Sequence, residues 1–210
     1  MVRLCLLSTI LVGASTLAFA QANVATDISH AQIQKVLKDQ PKATDHTLRV
    51  LDLGNYQLGV AVVHRGATTG QAARRRAGPP PGQAAAEPCG LNAAPAGAKL
   101  GPRGMIEHDD TTETYIVISG SGTLVTGGQI LKGRRSGPDS DVTKILNGPS
   151  CSGQAVGDFV SRKMDVGDIS VIPAGVPHGW TDITDHVTYL SVRPDPKKVL
   201  EHGYINPALK

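Results

Sequence analysis

Between residues 29 and 40 apolar side chains recur at helical spacing. Ile33, Val36 and Leu37 fall on one face, Ser29 stands where an N-cap belongs, and Pro41 follows. This pattern predicts an amphipathic helix. The period then shortens. Residues 47–53 and 56–64 alternate as strands, with Gly54-Asn55 as a hairpin turn between them. The segment 66–103 is rich in Ala, Gly and Pro and nearly free of large apolar side chains, which predicts an insert or loop. Further strands are predicted at 112–119, 123–126, 169–172, 179–183 and 187–192. The segment 127–164 reads as a long connection with short strands near Ile130 and at 159–163. From Arg193 onward the chain is polar and broken by prolines, which predicts a surface tail. Many short strands separated by turns predict one mainly β domain, a sandwich or barrel.

The N-terminus changes the picture. An apolar run at 4–12 follows Arg3, and Ala18-Phe19-Ala20 fits a small-residue cleavage site. This reads as a signal peptide at 1–20, cleaved near Ala20, and places the mature protein in the periplasm or outside the cell. About 190 residues remain (210 − 20), enough for one core. No later segment is apolar for long enough to span a bilayer, so no membrane contact is expected of the mature form. The net charge is +3. Losing Arg3 leaves about +2, too little to argue for nucleic acid. Arg74-Arg75-Arg76 lies among Ala, Gly and Pro and reads as a solvated loop. Cys5 leaves with the signal. Cys89 and Cys151 remain in an oxidising setting, either as a disulfide or as two free thiols.

Two stretches carry candidate chemistry. In 106–122, Glu113, Tyr115 and Val117 share a strand face, and His108 precedes Glu113 by five residues across a turn. In 167–183, a Pro/Gly turn leads to His178, which shares a face with Trp180 and Asp182. If both hairpins line one barrel, His108, Glu113 and His178 converge. Two imidazoles and a carboxylate suit a divalent first-row metal (Mn, Fe, Ni or Zn) and leave positions open. His64 ends a strand and reads as structural. His30, His46, His186 and His202 lie in polar settings and read as solvated. Gly120-x-Gly122 is a hairpin turn, without the third glycine or the helix of a dinucleotide loop.

These stretches resemble the two signature motifs of the cupin superfamily. The second matches G-x5-P-x-G-x2-H-x3-N at Gly167, Pro173, Gly175 and His178, with Asp182 in place of Asn. In the first, Glu113 and Gly120 fit, His108 takes the second histidine position, and Ile106 occupies the first. The resemblance implies a double-stranded β-helix (jelly-roll) barrel over 104–195. The helix and strands of 21–65 would pack on it, 196–210 would form a tail, and a homodimer is expected. It implies a small-molecule ligand or substrate, with Tyr115 and Asp110 as candidate proton-transfer groups and Ile106, Trp180 and Asp182 as pocket wall. Because Ile106 replaces a ligand, three outcomes stay open. The metal is held by three protein ligands and water, or Asp109, Asp110 or His64 substitutes, or the metal is lost and a binding pocket remains. The function is correspondingly a metal-dependent dioxygenase, decarboxylase, isomerase or lyase, or a non-catalytic ligand-binding protein.

Overall fold

The computed structural model describes residues 24–68 and 86–210. The expected signal peptide, its cleavage point and the arginine triplet lie outside the described residues. Helix α1 (His30–Asp39) starts with a reciprocal capping box in which Ser29 Oγ accepts from Gln32 N and the Gln32 side chain accepts from Ser29 N. Its face of Ile33, Val36 and Leu37 packs with Leu48, Val62 and Leu190 on the outside of a sheet.

That sheet has the order β1-β2-β10-β5-β8, comprising Asp45–Asp52, Gln57–Gly66, His186–Asp195, Glu113–Gly120 and Ile169–Ile172. The second has the order β3-β6-β7-β4-β9, comprising Pro88–Cys89, Gly122–Arg135, Ser150–Met164, Leu100–His108 and His178–Thr181. Every ladder between these strands is antiparallel. Strand β9 pairs with both β4 and β6, which closes the second sheet on itself. Val63, Tyr115, Val117, Leu124, Met164, Ile172, Val187 and Tyr189 form the core between the sheets. A smaller cluster of Met105, Val125, Ile130, Cys151 and Ala155 lies apart from it. This is a jelly-roll barrel with an N-terminal helix.

Three expectations are corrected. The supposed connection 127–164 is mostly the long hairpin β6–β7, paired from Gly122↔Met164 to Arg135↔Cys151, with one π-helical turn at Val142–Leu146 between. Its glycines hid it, because they mark bulges rather than loops. Gly128 takes φ 73°, and a Cβ there would meet Val156 O at 2.6 Å. Within 66–103, the described part holds β3 and the start of β4, so the barrel strand begins at Leu100. The polar residues from Arg193 onward do not form a surface tail. Arg193 is 1 % exposed, Leu200 is buried, and Tyr204 O and Asn206 Nδ2 bond to Val50 N and Thr47 O of β1.

Cys89 and Cys151 form a disulfide, with Cα atoms 6.0 Å apart and a sequence separation of 62. It ties the edge strand β3 to β7, two strands away in the sheet. On the chain-entropy account a loop of this size contributes about 4 kcal/mol. Among the described residues, no helix is long and apolar enough to cross a membrane.

Candidate metal centre

The barrel brings the two motif hairpins together. His108 ends β4, Glu113 begins β5 and His178 begins β9. Backbone register places Ile106 of β4 opposite His178, and His178 opposite Thr126 of β6. The Pro/Gly turn is tied to β4 by Gly175 N donating to His108 O at 2.7 Å. Gly175 itself has φ 75°, a conformation that favours glycine, which accounts for its place before His178.

One ligand atom from each of His108, Glu113 and His178 lies within 4.8 Å of the others, and all three residues are buried. Glu113 Oε2 lies 3.1 Å from His108 Nε2 and 2.9 Å from His178 Nε2. The other ring nitrogens fix what these atoms are. His178 Nδ1 is 2.9 Å from Val176 O, and a carbonyl only accepts, so Nδ1 carries the proton. His108 Nδ1 is 2.8 Å from Ser150 Oγ, whose single proton goes to Gly148 O. Nδ1 of His108 must therefore donate too. In the neutral tautomer with Nδ1–H, each Nε2 presents a lone pair to the carboxylate oxygen. His178 Nε2 accordingly forms no hydrogen bond despite its proximity to Glu113. His108 Nε2 is within hydrogen-bond distance of that oxygen and His178 Nε2 is left without a partner, so the three ligand atoms converge as the donor set of a cation site.

The electrostatics agree. Burial pushes the His108 imidazole below its ordinary value, against the pull of Glu113, and so favours the neutral, ligating form. Burial, the largest single influence, would raise the Glu113 carboxyl, but the Arg193 guanidinium together with the His108 and His178 imidazoles outweighs it and holds the group well below the usual carboxylate range. The spacing also fits. Two ligand atoms about 2.1 Å from one metal, at right angles to each other, lie about 3.0 Å apart. The ring N–H to carbonyl and hydroxyl bonds are the usual support of metal-bound histidines. The residues present thus fit a divalent cation.

Around this centre, Tyr115 OH donates to Glu113 Oε2 at 2.8 Å. Burial and the neighbouring Glu113 push the phenol well above its usual value, so it remains a proton donor. Tyr115 packs tilted against Tyr189 at 4.3 Å, stacks with Trp180 at 6.4 Å, and meets His178 edge-on at 5.9 Å. Ile106 is half-buried.

Other sequence candidates lie elsewhere. Asp182 is exposed at φ 51°, one residue beyond the end of β9, and accepts from Thr181 Oγ1. Strand alternation stops before it, so it does not line the pocket. Asp109 pairs with Arg135 at the surface. Asp110 sits in the turn after β4, and among the described residues it has no hydrogen bond to Glu113 or to either histidine. His64 is exposed on the outer sheet face, so it does not stand in for the missing ligand. His46, expected in solvent, is 3 % exposed and bonds Gln40.

The sequence reading missed Arg193, Ser191, Asn147 and Ser150. Ser191 and Arg193 continue the alternation of Tyr189 along β10, so their inward direction was legible. Asn147 and Ser150 carry no local signal, because their roles depend on where the β6–β7 connection folds.

No protein-family model and no curated protein matches the chain. Solved structures overlap it at low identity. The DMSP lyase DddQ from Ruegeria pomeroyi is 12% identical over 74% of this chain and 49% of its own, with TM-score 0.36. The chain thus spans about half the length of that lyase. An uncharacterized protein with a double-stranded β-helix domain from Klebsiella pneumoniae is 14% identical over 73% of this chain and 80% of its own, with TM-score 0.34. BH2720 from Bacillus halodurans is 12% identical over 89% and 92%, with TM-score 0.37. The chain's own strand order, rather than these overlaps, gives it the double-stranded β-helix fold.

Proposed function

We propose that this protein is an exported cupin that binds one divalent metal through His108, Glu113 and His178 and acts on a small oxygenated molecule. The observation that carries this reading is the convergence of two imidazole lone pairs and a carboxylate oxygen, all buried, with His178 Nε2 unpartnered. A bound divalent ion would supply Lewis acidity, or redox chemistry if it were iron or manganese. The chain's own part is to hold three ligands, favour the neutral form of His108, and keep a phenolic proton at Tyr115 next to the ligand oxygen. Ile106 leaves the fourth ligand position of the family pattern to water or substrate. Export is supported by the Cys89–Cys151 disulfide, which persists in oxidising compartments. A homodimer is supported by the edge strand β8, whose Ile169 and Val171 are exposed.

The test is metal content after purification without chelator and after reconstitution with Mn, Fe, Ni or Zn. About one equivalent, absent from His178→Ala, supports the reading and opens a substrate screen for dioxygenase, decarboxylase, isomerase and lyase chemistry. A second reading, a ligand-binding protein without catalysis, is favoured by the aliphatic Ile106 and the aromatic wall of Tyr115 and Trp180. It predicts ligand binding that survives removal of the metal.

A further inference from the structure

The two oxygens of Glu113 are treated differently. Oε1 accepts from Arg193 Nε at 2.8 Å, Ser191 Oγ at 2.9 Å and Asn147 Nδ2 at 3.0 Å. Oε2 accepts from Tyr115 and lies 3.1 Å from His108 Nε2 and 2.9 Å from His178 Nε2. A carboxylate oxygen has about two lone-pair sites. Three donors exhaust Oε1.

Arg193 is not arranged as an ordinary buried ion pair. A guanidinium usually grips a carboxylate with two parallel bonds, one to each oxygen. Here it gives Glu113 one nitrogen and turns the rest of its fork away. Nη2 bonds Asp45 of β1 at 2.6 Å and Nη1 bonds Leu146 O at 3.1 Å. Arg193 is 1 % exposed, and the remaining donors come from β10 and from the turn before β7. Three parts of the chain, β1, β10 and the 146–147 turn, thus fix one carboxylate rotamer.

We propose that Arg193, Asn147 and Ser191 form a clamp that reserves Glu113 Oε1, so that the carboxylate meets a metal through Oε2 alone. The inference rests on the metal reading above. The clamp limits the protein to three ligand atoms and keeps the coordination sphere open. The three clamp residues are positioning residues, since none of them reaches the imidazole nitrogens.

The test is titration of the metal-free full chain with Co²⁺, followed by visible absorption, for the wild type, Arg193→Lys and the double variant Asn147→Ala/Ser191→Ala. Lysine keeps the charge but is a point donor that cannot span Glu113, Asp45 and Leu146 O. Expected are 10–100-fold weaker Co²⁺ binding and weaker absorption bands, because a freed Oε1 joins the metal and raises its coordination number. Urea unfolding of the metal-free proteins identifies any variant that does not fold. If Arg193→Lys does not, the double variant decides, since it leaves Arg193 in place. Unchanged affinity and an unchanged spectrum in folded variants overturn the clamp alone. A wild type that takes up no Co²⁺ overturns the clamp and the metal reading together.

Discussion

Two histidine clusters, one inside the barrel on β4 and β9 and one outside it on α1, β1, β2 and β10, differ in that only the first has the makings of a site. Inside the barrel, His108 and His178 meet edge-on with ring centres 5.1 Å apart. Outside, beneath α1, a groove of about 900 Å³ is lined by His30, His46, His64 and His186. Two of these, His64 and His186, stack at 5.5 Å. By histidine count the outer cluster is the richer. Its nitrogens, however, are served individually. His186 lies between Ser119 Oγ and the Asp185 carboxylate, His64 Nδ1 bonds Thr188 Oγ1, and His46 Nδ1 bonds Gln40 Oε1. The inner pair aims two Nε2 atoms at one carboxylate oxygen. Convergence of acceptors, rather than abundance of imidazole, marks a cation site.

The largest effect that would break this contrast is loss of the central carboxylate. Glu113→Ala is expected to abolish metal binding and to destabilise the fold by about 3–5 kcal/mol, because Arg193 loses a buried partner. His64→Ala and His186→Ala are expected to keep full metal content and to change stability by less than about 1 kcal/mol. Metal analysis and urea unfolding of the three variants check both halves.

Next in size is the covalent tie. Cys151→Ala should destabilise the protein by about 2–4 kcal/mol. Metal content should persist, because the disulfide belongs to the smaller cluster and not to the centre. Reduction of the wild type, followed by denaturant titration, should give the same loss.

Acid should separate the clusters further. Glu113 has a folded pKa well below 4.5, so its stabilisation is present above about pH 4.5 and is lost as pH falls through the folded value. His108, and His46 beside the outer groove, are lowered from 6.5 and stay neutral when folded. Unfolding lets them take up protons, so stability should already fall below about pH 6.5. Urea midpoints of the metal-free protein from pH 7.5 to 4 should therefore drop in two stages. His108→Gln should reduce the upper stage while leaving His46 to contribute the rest.

The smallest expected change is a gain. Ile106 sits opposite His178 in register. Ile106→His should add a fourth ligand and tighten metal binding by roughly tenfold, about 1.4 kcal/mol. Competition with a chelator would measure it. No gain would mean that the β4 backbone turns this position away from the centre.

How much of this was legible in the sequence depends on the range of the interactions. The helix at 30–39 announced itself through Ser29, Pro41 and the 3.6-residue period, which are all local. The triad was legible because each member sits at a strand end beside a turn, where motif spacing survives. The β6–β7 hairpin was not, because Gly127, Gly128, Gly133 and Gly153 read as loop residues until their bulges are seen against a neighbouring strand. Arg193 was misread for a related reason. A charged residue before Pro194 looks solvent-facing unless Asp45 and Glu113, distant in sequence, are known to meet it. Asp182 failed in the opposite way, since the alternation that included it was extended one residue past the strand.

The most direct measurement follows the imidazole nitrogens of ¹⁵N-histidine-labelled, metal-free protein near neutral pH while Zn²⁺ is added, with His108→Gln and His178→Gln spectra to assign the signals. The account predicts that both rings start with protonated Nδ1 and bare Nε2, that both Nε2 signals move at one equivalent of Zn²⁺, and that His64 and His186 do not respond. Nε2–H on either inner ring before addition, or a response confined to the outer pair, would contradict it.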